Sequence, residues 1–106
     1  MRCATYRLGS EPVIVLIVYD PVTGQPMNIA SAQTIKMFFR FADEAVIEKV
    51  ATLHTGGTDG KIAYQVNGTE FKEGRWKVEG FVTLGVAPND QDLYSTSASF
   101  EVEPRI

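Results

Sequence analysis

Two runs of alternating side chains, set on either side of one polar corner, constrain this chain more than any other feature. In Lys61-Ile62-Ala63-Tyr64-Gln65-Val66 each even position is apolar and large, and beyond Arg75 the same parity continues through Trp76, Val78, Val82 and Leu84. A period of two sends successive side chains to opposite faces of an extended strand, so each run offers one apolar face to a core. The Gly-rich turn Gly56-Gly57-Thr58-Asp59-Gly60 leads into the first run, and residues 67–74 form the polar corner between the two. Both runs predict antiparallel β-structure with Trp76 in the core.

The rest of the chain reads in the same way. Residues 3–8 form a short first strand that stops at Gly9-Ser10. Residues 34–41 place Ile35, Met37, Phe39 and Phe41 on one face and Lys36, Phe38 and Arg40 on the other. In residues 46–54 the β-branched Val46, Ile47 and Val50 favour a bulged strand over a helix. The closing strand, residues 93–103, turns Tyr94, Thr96, Ala98, Phe100 and Val102 inward and Ser95, Ser97, Ser99, Glu101 and Glu103 outward. Proline and glycine mark a reversal in Asp20-Pro21-Val22-Thr23-Gly24-Gln25-Pro26, and Asp43-Glu44-Ala45 marks another. Residues 27–32 are an extended link, and residues 87–92 are a loop. About seven strands in 106 residues predict an all-β, immunoglobulin-like antiparallel β-sandwich, one domain spanning residues 1–106. With a single cysteine, Trp76 must anchor that core without a disulfide against it.

One strand breaks the half-solvated pattern. Val13-Ile14-Val15-Leu16-Ile17-Val18-Tyr19 is apolar on both faces, so something must cover both: the core on one side, and on the other either the N-terminal segment or another subunit. Glu11-Pro12 and Asp20-Pro21 bracket the run with charge and proline, which discourage uncontrolled edge pairing. Phe38 and Phe81 fall on the outward faces of their strands, and with Tyr19 and Val13, Val15 and Ile17 they are expected to form one apolar contact patch.

Chemistry is sparse elsewhere. The net charge of −3, with ten Lys and Arg spread singly, gives no basic stripe for nucleic acid. Cys3 cannot form an internal bridge, and near a terminus it reads as a spectator. The apolar run has seven residues, against the roughly 20 needed to span a bilayer, and no cleavage pattern follows it. This predicts synthesis in the cytoplasm without a signal peptide and no membrane partner. His54 is the only histidine and reads as a turn residue, without a partnered nucleophile. The stretch Thr55-Gly56-Gly57-Thr58-Asp59-Gly60-Lys61-Ile62 fails as a phosphate loop at Thr55 and at Ile62, and a strand follows it where such a loop needs a helix. Asn89, Asp90 and Asp92 lack calcium-loop spacing, and Asn67-Gly68-Thr69 reads as a turn. The expectation is a non-enzymatic protein with no catalytic residue, cofactor or metal.

The pieces taken together resemble a known family. Residues 13–19, the turn with Asp20, Gly24 and Pro26-Met27-Asn28-Ile29, then Ala32 with Ile35-Lys36-Met37-Phe38-Phe39-Arg40, then Asp59-Gly60-Lys61-Ile62-Ala63-Tyr64 and Gly74-Arg75-Trp76-Lys77-Val78-Glu79 are similar to small immunoglobulin-like virion proteins of tailed bacteriophages, in particular the N-terminal domain of the baseplate upper protein. The similarity spans about residues 4–103 and departs at Ile29-Ala30-Ser31-Ala32. It implies a virion structural role, in tail or baseplate ahead of capsid, with other virion proteins or copies of the chain itself as partners in an oligomeric particle. The competing expectation is a carbohydrate- or receptor-binding sandwich, which needs an exposed aromatic platform beside polar groups.

Overall fold

A computed structural model describes residues 3–7, 9–67, 70–85, 91–95 and 97–104; Leu8, Gly68, Thr69, Asn89, Asp90 and Thr96, named above, lie outside them. Among the described residues nine strands follow in order: β1 (Cys3–Arg7), β2 (Val13–Ile17), β3 (Thr34–Phe41), β4 (Ile47–Val50), β5 (Thr52–Leu53), β6 (Lys61–Gln65), β7 (Gly74–Leu84), β8 (Gln91–Tyr94) and β9 (Ala98–Glu103). They form an all-β sandwich of unequal sheets. The larger runs β1-β9-β7-β3-β4, with β8 continuing beyond β9 along the same edge of β7; the smaller is β2-β6-β5. The predicted seven strands become nine because two of the long alternations divide.

The first division falls at Ala51. Residues 46–54 are not one bulged strand: β4 pairs β3 in the larger sheet, and β5 pairs β6 in the smaller. Ala51 is buried at the crossing, where its N–H donates to the Ile35 carbonyl at 3.0 Å. A small side chain lets the backbone pass between layers. Ala51 and, less completely, Leu53 turn into the core, while Val46, Ile47 and Val50 are left exposed.

The second division corrects the closing strand. β8 pairs Tyr94 with Phe81, whereas β9 pairs Ala98 with Val78, and the register shifts by one residue between them. That extra residue reverses the side-chain parity. Leu93 and Ser95 are therefore buried, and Tyr94, expected in the core, is 58 % exposed. Gly80 sits opposite the shift. Its carbonyl accepts the Ser95 N–H at 3.0 Å, and its N–H donates to Ser95 Oγ at 2.7 Å. A Cβ on Gly80 would lie 2.5 Å from Ile62 Cδ1 and 3.0 Å from Ser95 Oγ, so the facing sheet packs directly onto this position. Sequence parity also says nothing of direction: β1 pairs β9 in parallel, so the larger sheet is mixed, not wholly antiparallel.

The core contains Met37 and Phe39 of β3, Ile62 of β6, Trp76, Val78 and Val82 of β7, and Phe100 and Val102 of β9. Two of its most buried members were missed by periodicity. Phe71 lies in the corner read as polar, yet its ring centroid is 4.6 Å from that of Phe39, 4.8 Å from Trp76 and 5.8 Å from Phe100. Ile29, in the extended link, is fully buried and tied by its N–H to the Gly57 carbonyl. The glycine turn is demanded by sterics. Gly60 has φ +76°, and a Cβ there would meet the Val18 carbonyl oxygen at 2.7 Å.

Two stability predictions follow from this packing. Trp76→Ala and Phe71→Ala should each cost about 3–5 kcal/mol in denaturant unfolding, the range for emptying a large aromatic from a core. Gly80→Ala should cost about 1–3 kcal/mol by overpacking, and part of that loss should return in the Gly80→Ala, Ile62→Val double variant, because the removed methyl is the one that clashes. Full additivity of the two changes would show that the Gly80–Ile62 contact is not the cause.

Candidate functional site

Side-chain and backbone parity together define the open edge of β2. Its even residues serve the core: Ile14 packs against it, Leu16 is buried, and so is Val18 just past the strand end. The odd residues face solvent, with Val13 50 %, Val15 39 % and Tyr19 37 % exposed and Ile17 half-buried. The Val66 N–H donates to the Pro12 carbonyl at 3.0 Å and the Val18 N–H to the Gly60 carbonyl at 2.8 Å, with Ile14 opposite Tyr64 and Leu16 opposite Ile62 between them. Bonded pairs alternate along an antiparallel ladder, so the N–H and C=O groups of Val13, Val15 and Ile17 point away from β6. Among the described residues no strand lies on that side.

A groove of about 370 Å³ runs beside this edge. Tyr6 of β1 and Ala98 and Phe100 of β9 form its far wall, and none of its lining residues carries a charge at neutral pH. The Tyr6 ring stacks on Phe100 at 5.9 Å. Its hydroxyl is the one buried side-chain polar atom without a hydrogen-bond partner among the described residues, and burial, then the nearby Glu70 charge, raises its pKa. The N-terminal strand thus covers only part of what the sequence led one to expect. It roofs the groove from the opposite sheet and leaves the outer side chains of β2 in solvent.

The expected single patch is divided in two. Phe38 and Phe81 belong to β3 and β7 of the larger sheet, alternating with the buried Met37, Phe39 and Val82, so they lie on the outer face opposite to that of Val13, Val15, Ile17 and Tyr19. Their rings are 6.1 Å apart and tilted by 52°, and Tyr94 extends the row at 5.1 Å from Phe81 with a 51° tilt. The Lys36–Glu48 ion pair, 3.1 Å, borders it. The bulge beside Gly80 is what turns Tyr94 onto this face, a signal that periodicity alone does not carry.

The polar candidates do not converge. His54 is exposed, its N–H donating to the Lys61 carbonyl at 3.0 Å, and Asp92 accepts the Thr83 hydroxyl at 3.2 Å on the surface. Asp59 caps the glycine turn, accepting the Thr55 hydroxyl and the Lys61 N–H; the Thr55 bond, then that of Lys61, holds its carboxyl below the usual range. Glu70 closes the corner at Asn67, accepting that residue's N–H at 2.7 Å and the Tyr64 hydroxyl at 2.7 and 2.8 Å. Burial and then this bond push the Tyr64 phenol up. Among the described residues no three His, Cys, Asp or Glu side chains gather as a metal site, and no helix is long and apolar enough to cross a membrane.

No family model matches the sequence. No curated protein matches it at a significant level either. Among solved structures, the chain is similar to the N-terminal domain of phage TP901-1 ORF48, with a TM-score of 0.63 and 16 % identity over 96 % of this chain and 85 % of that one. At that identity the likeness is one of fold.

The surface positions of the polar candidates predict a null result. Replacing His54 by Ala together with Asp92 by Asn should shift unfolding free energy by no more than about 0.5 kcal/mol, the usual span for surface substitutions. A larger loss would give one of them a structural role that the geometry does not assign.

Proposed function

We propose that this chain is a non-enzymatic structural component of a tailed-phage or prophage virion, one sandwich domain acting in tail or baseplate through contacts with other virion proteins or with copies of itself. The observation that carries the reading is the shared fold with a phage domain over nearly the whole chain. The open β2 edge supports it, because an uncharged, apolar edge beside a groove is a liability for a domain that works alone and an asset for one that is assembled. Fully burying a Val-sized side chain stabilises by roughly 1.5–3 kcal/mol, so the half-exposed Val13 and Val15 leave about 1 kcal/mol each to be gained in a contact. The aromatic row on the other face supports a sugar platform poorly: rings tilted by 51° and 52° share no plane on which a pyranose can lie.

Mass spectrometry of purified particles from an induced host tests the role: the chain should co-purify with tail or baseplate proteins in fixed stoichiometry. Its absence from particles, or binding to a glycan array, would sink the reading. Val15→Thr with Ile17→Lys should leave the fold intact, by circular dichroism, and deplete the protein from particles. Loss of the fold instead would mean that Ile17 serves the core rather than a partner.

A further inference from the structure

We infer that the β2 edge is a strand-addition site, which takes one extended segment of a neighbouring virion polypeptide, apolar where it faces the groove and basic at its ends; this deepens the proposed virion role and rests on it. Three donors and three acceptors, the N–H and C=O groups of Val13, Val15 and Ile17, stand in a row with strand spacing and face no described strand. Only another extended backbone matches such a row, pairing main chain to main chain and placing alternate side chains on opposite faces. Pro12 does not block it, because Pro12 is an even position whose backbone faces β6.

The groove decides what the inward side chains are. An apolar cavity of roughly 150 Å³ accepts a benzene ring. At about 370 Å³, this one has room for two side chains of that size, as two alternate residues of one strand would present. Its lining is mostly apolar, with Ala98 and the rings of Tyr6 and Phe100 on the far wall, and so favours apolar side chains there. Glu11 and Asp20 stand just outside the two ends of β2, so basic residues at the ends of the segment complement the edge.

The same geometry excludes the β2 edge of a second copy as occupant. β2 lies across from β7, and the larger sheet continues past it through β9 and β1. Sheets in a sandwich stack about 10 Å apart with strands about 4.8 Å apart, so two-fold pairing of β2 with its copy would push both β1–β9 flanks into one space. A lone strand from a neighbour meets no such obstacle.

The test uses a capped peptide that alternates isoleucine with threonine and ends in lysines, and a control peptide with proline at its centre. At tenfold excess over its Kd, the alternating peptide should slow hydrogen exchange at the amides of Val13, Val15 and Ile17 about tenfold and perturb the Tyr6 ring resonances. The proline peptide should do neither. Ala98→Trp, which fills the groove and spares the β2 backbone, should abolish binding; should that variant not fold, the proline peptide alone carries the comparison. Unchanged exchange at saturating peptide, equal binding of the proline peptide, or protection of the same amides by self-association alone would each overturn the inference. Absence of the chain from particles alongside peptide binding would instead overturn the virion role and leave the edge site standing.

Discussion

An apolar sheet face must be covered, and among the described residues a sheet of six strands is faced by one of three. The fold is organised by how that mismatch is met. Over β3 and β7 the smaller sheet does the covering, with Leu16 and Ile62 packed down toward Gly80, where the layers are so close that no Cβ fits. At one end, beyond the reach of β6, the corner supplies Phe71, which fills the space between Phe39, Trp76 and Phe100. Past β2 the smaller sheet does not reach. There Tyr6, Ala98 and one side of Phe100 are left as the wall of the uncharged groove.

The location of the proposed contact surface follows from the same mismatch. β2 is the last strand of the short sheet, so its outward backbone groups lie next to the uncovered flank, and an added strand there would complete two structures at once, the hydrogen-bond ladder and the core. This joins two features that are separable in principle: an unpaired edge needs only another backbone, and an apolar groove needs only bulk. A single extended segment satisfies both, which is why the edge, rather than the aromatic row of Phe38, Phe81 and Tyr94, is the stronger binding candidate. That row already packs ring against ring at 5.1 and 6.1 Å and offers no unpaired backbone edge.

Polar groups in this protein serve its corners. Asp59 and Asp20 accept backbone N–H groups in their turns, and Glu70 ties Tyr64 to the Asn67 corner while lying 3.4 Å from Lys49. The remaining ion pairs, such as Lys72–Glu44 and Arg75–Glu101, are solvent-exposed and contribute little each. Stability therefore rests on the aromatic and aliphatic core, and the edge of β2 can change its partner without disturbing a charge network.

Alternation is a local property, written in each side chain and its second neighbour, and so the sequence by itself determined the strands of β3, β6 and β7, the burial of Trp76, Met37 and Phe39, and the surplus of apolar residues on β2. The glycine and proline turns were equally legible, because positive φ and fixed φ are demands on single residues. Whatever depends on which strand meets which belonged to the tertiary structure. The parallel pairing of β1 with β9, the passage between sheets at Ala51, and the one-residue shift that turns Tyr94 outward bring together residues far apart in the chain, and no period records them. The proposed contact site shows both halves: residues 13–19 announced that two faces need cover, but only the assembled sheets decided that Phe38 and Phe81 lie on the opposite side and that the open edge of β2 borders a groove. A side chain's parity is set by its own backbone, whereas its neighbours are set by the packing of the whole.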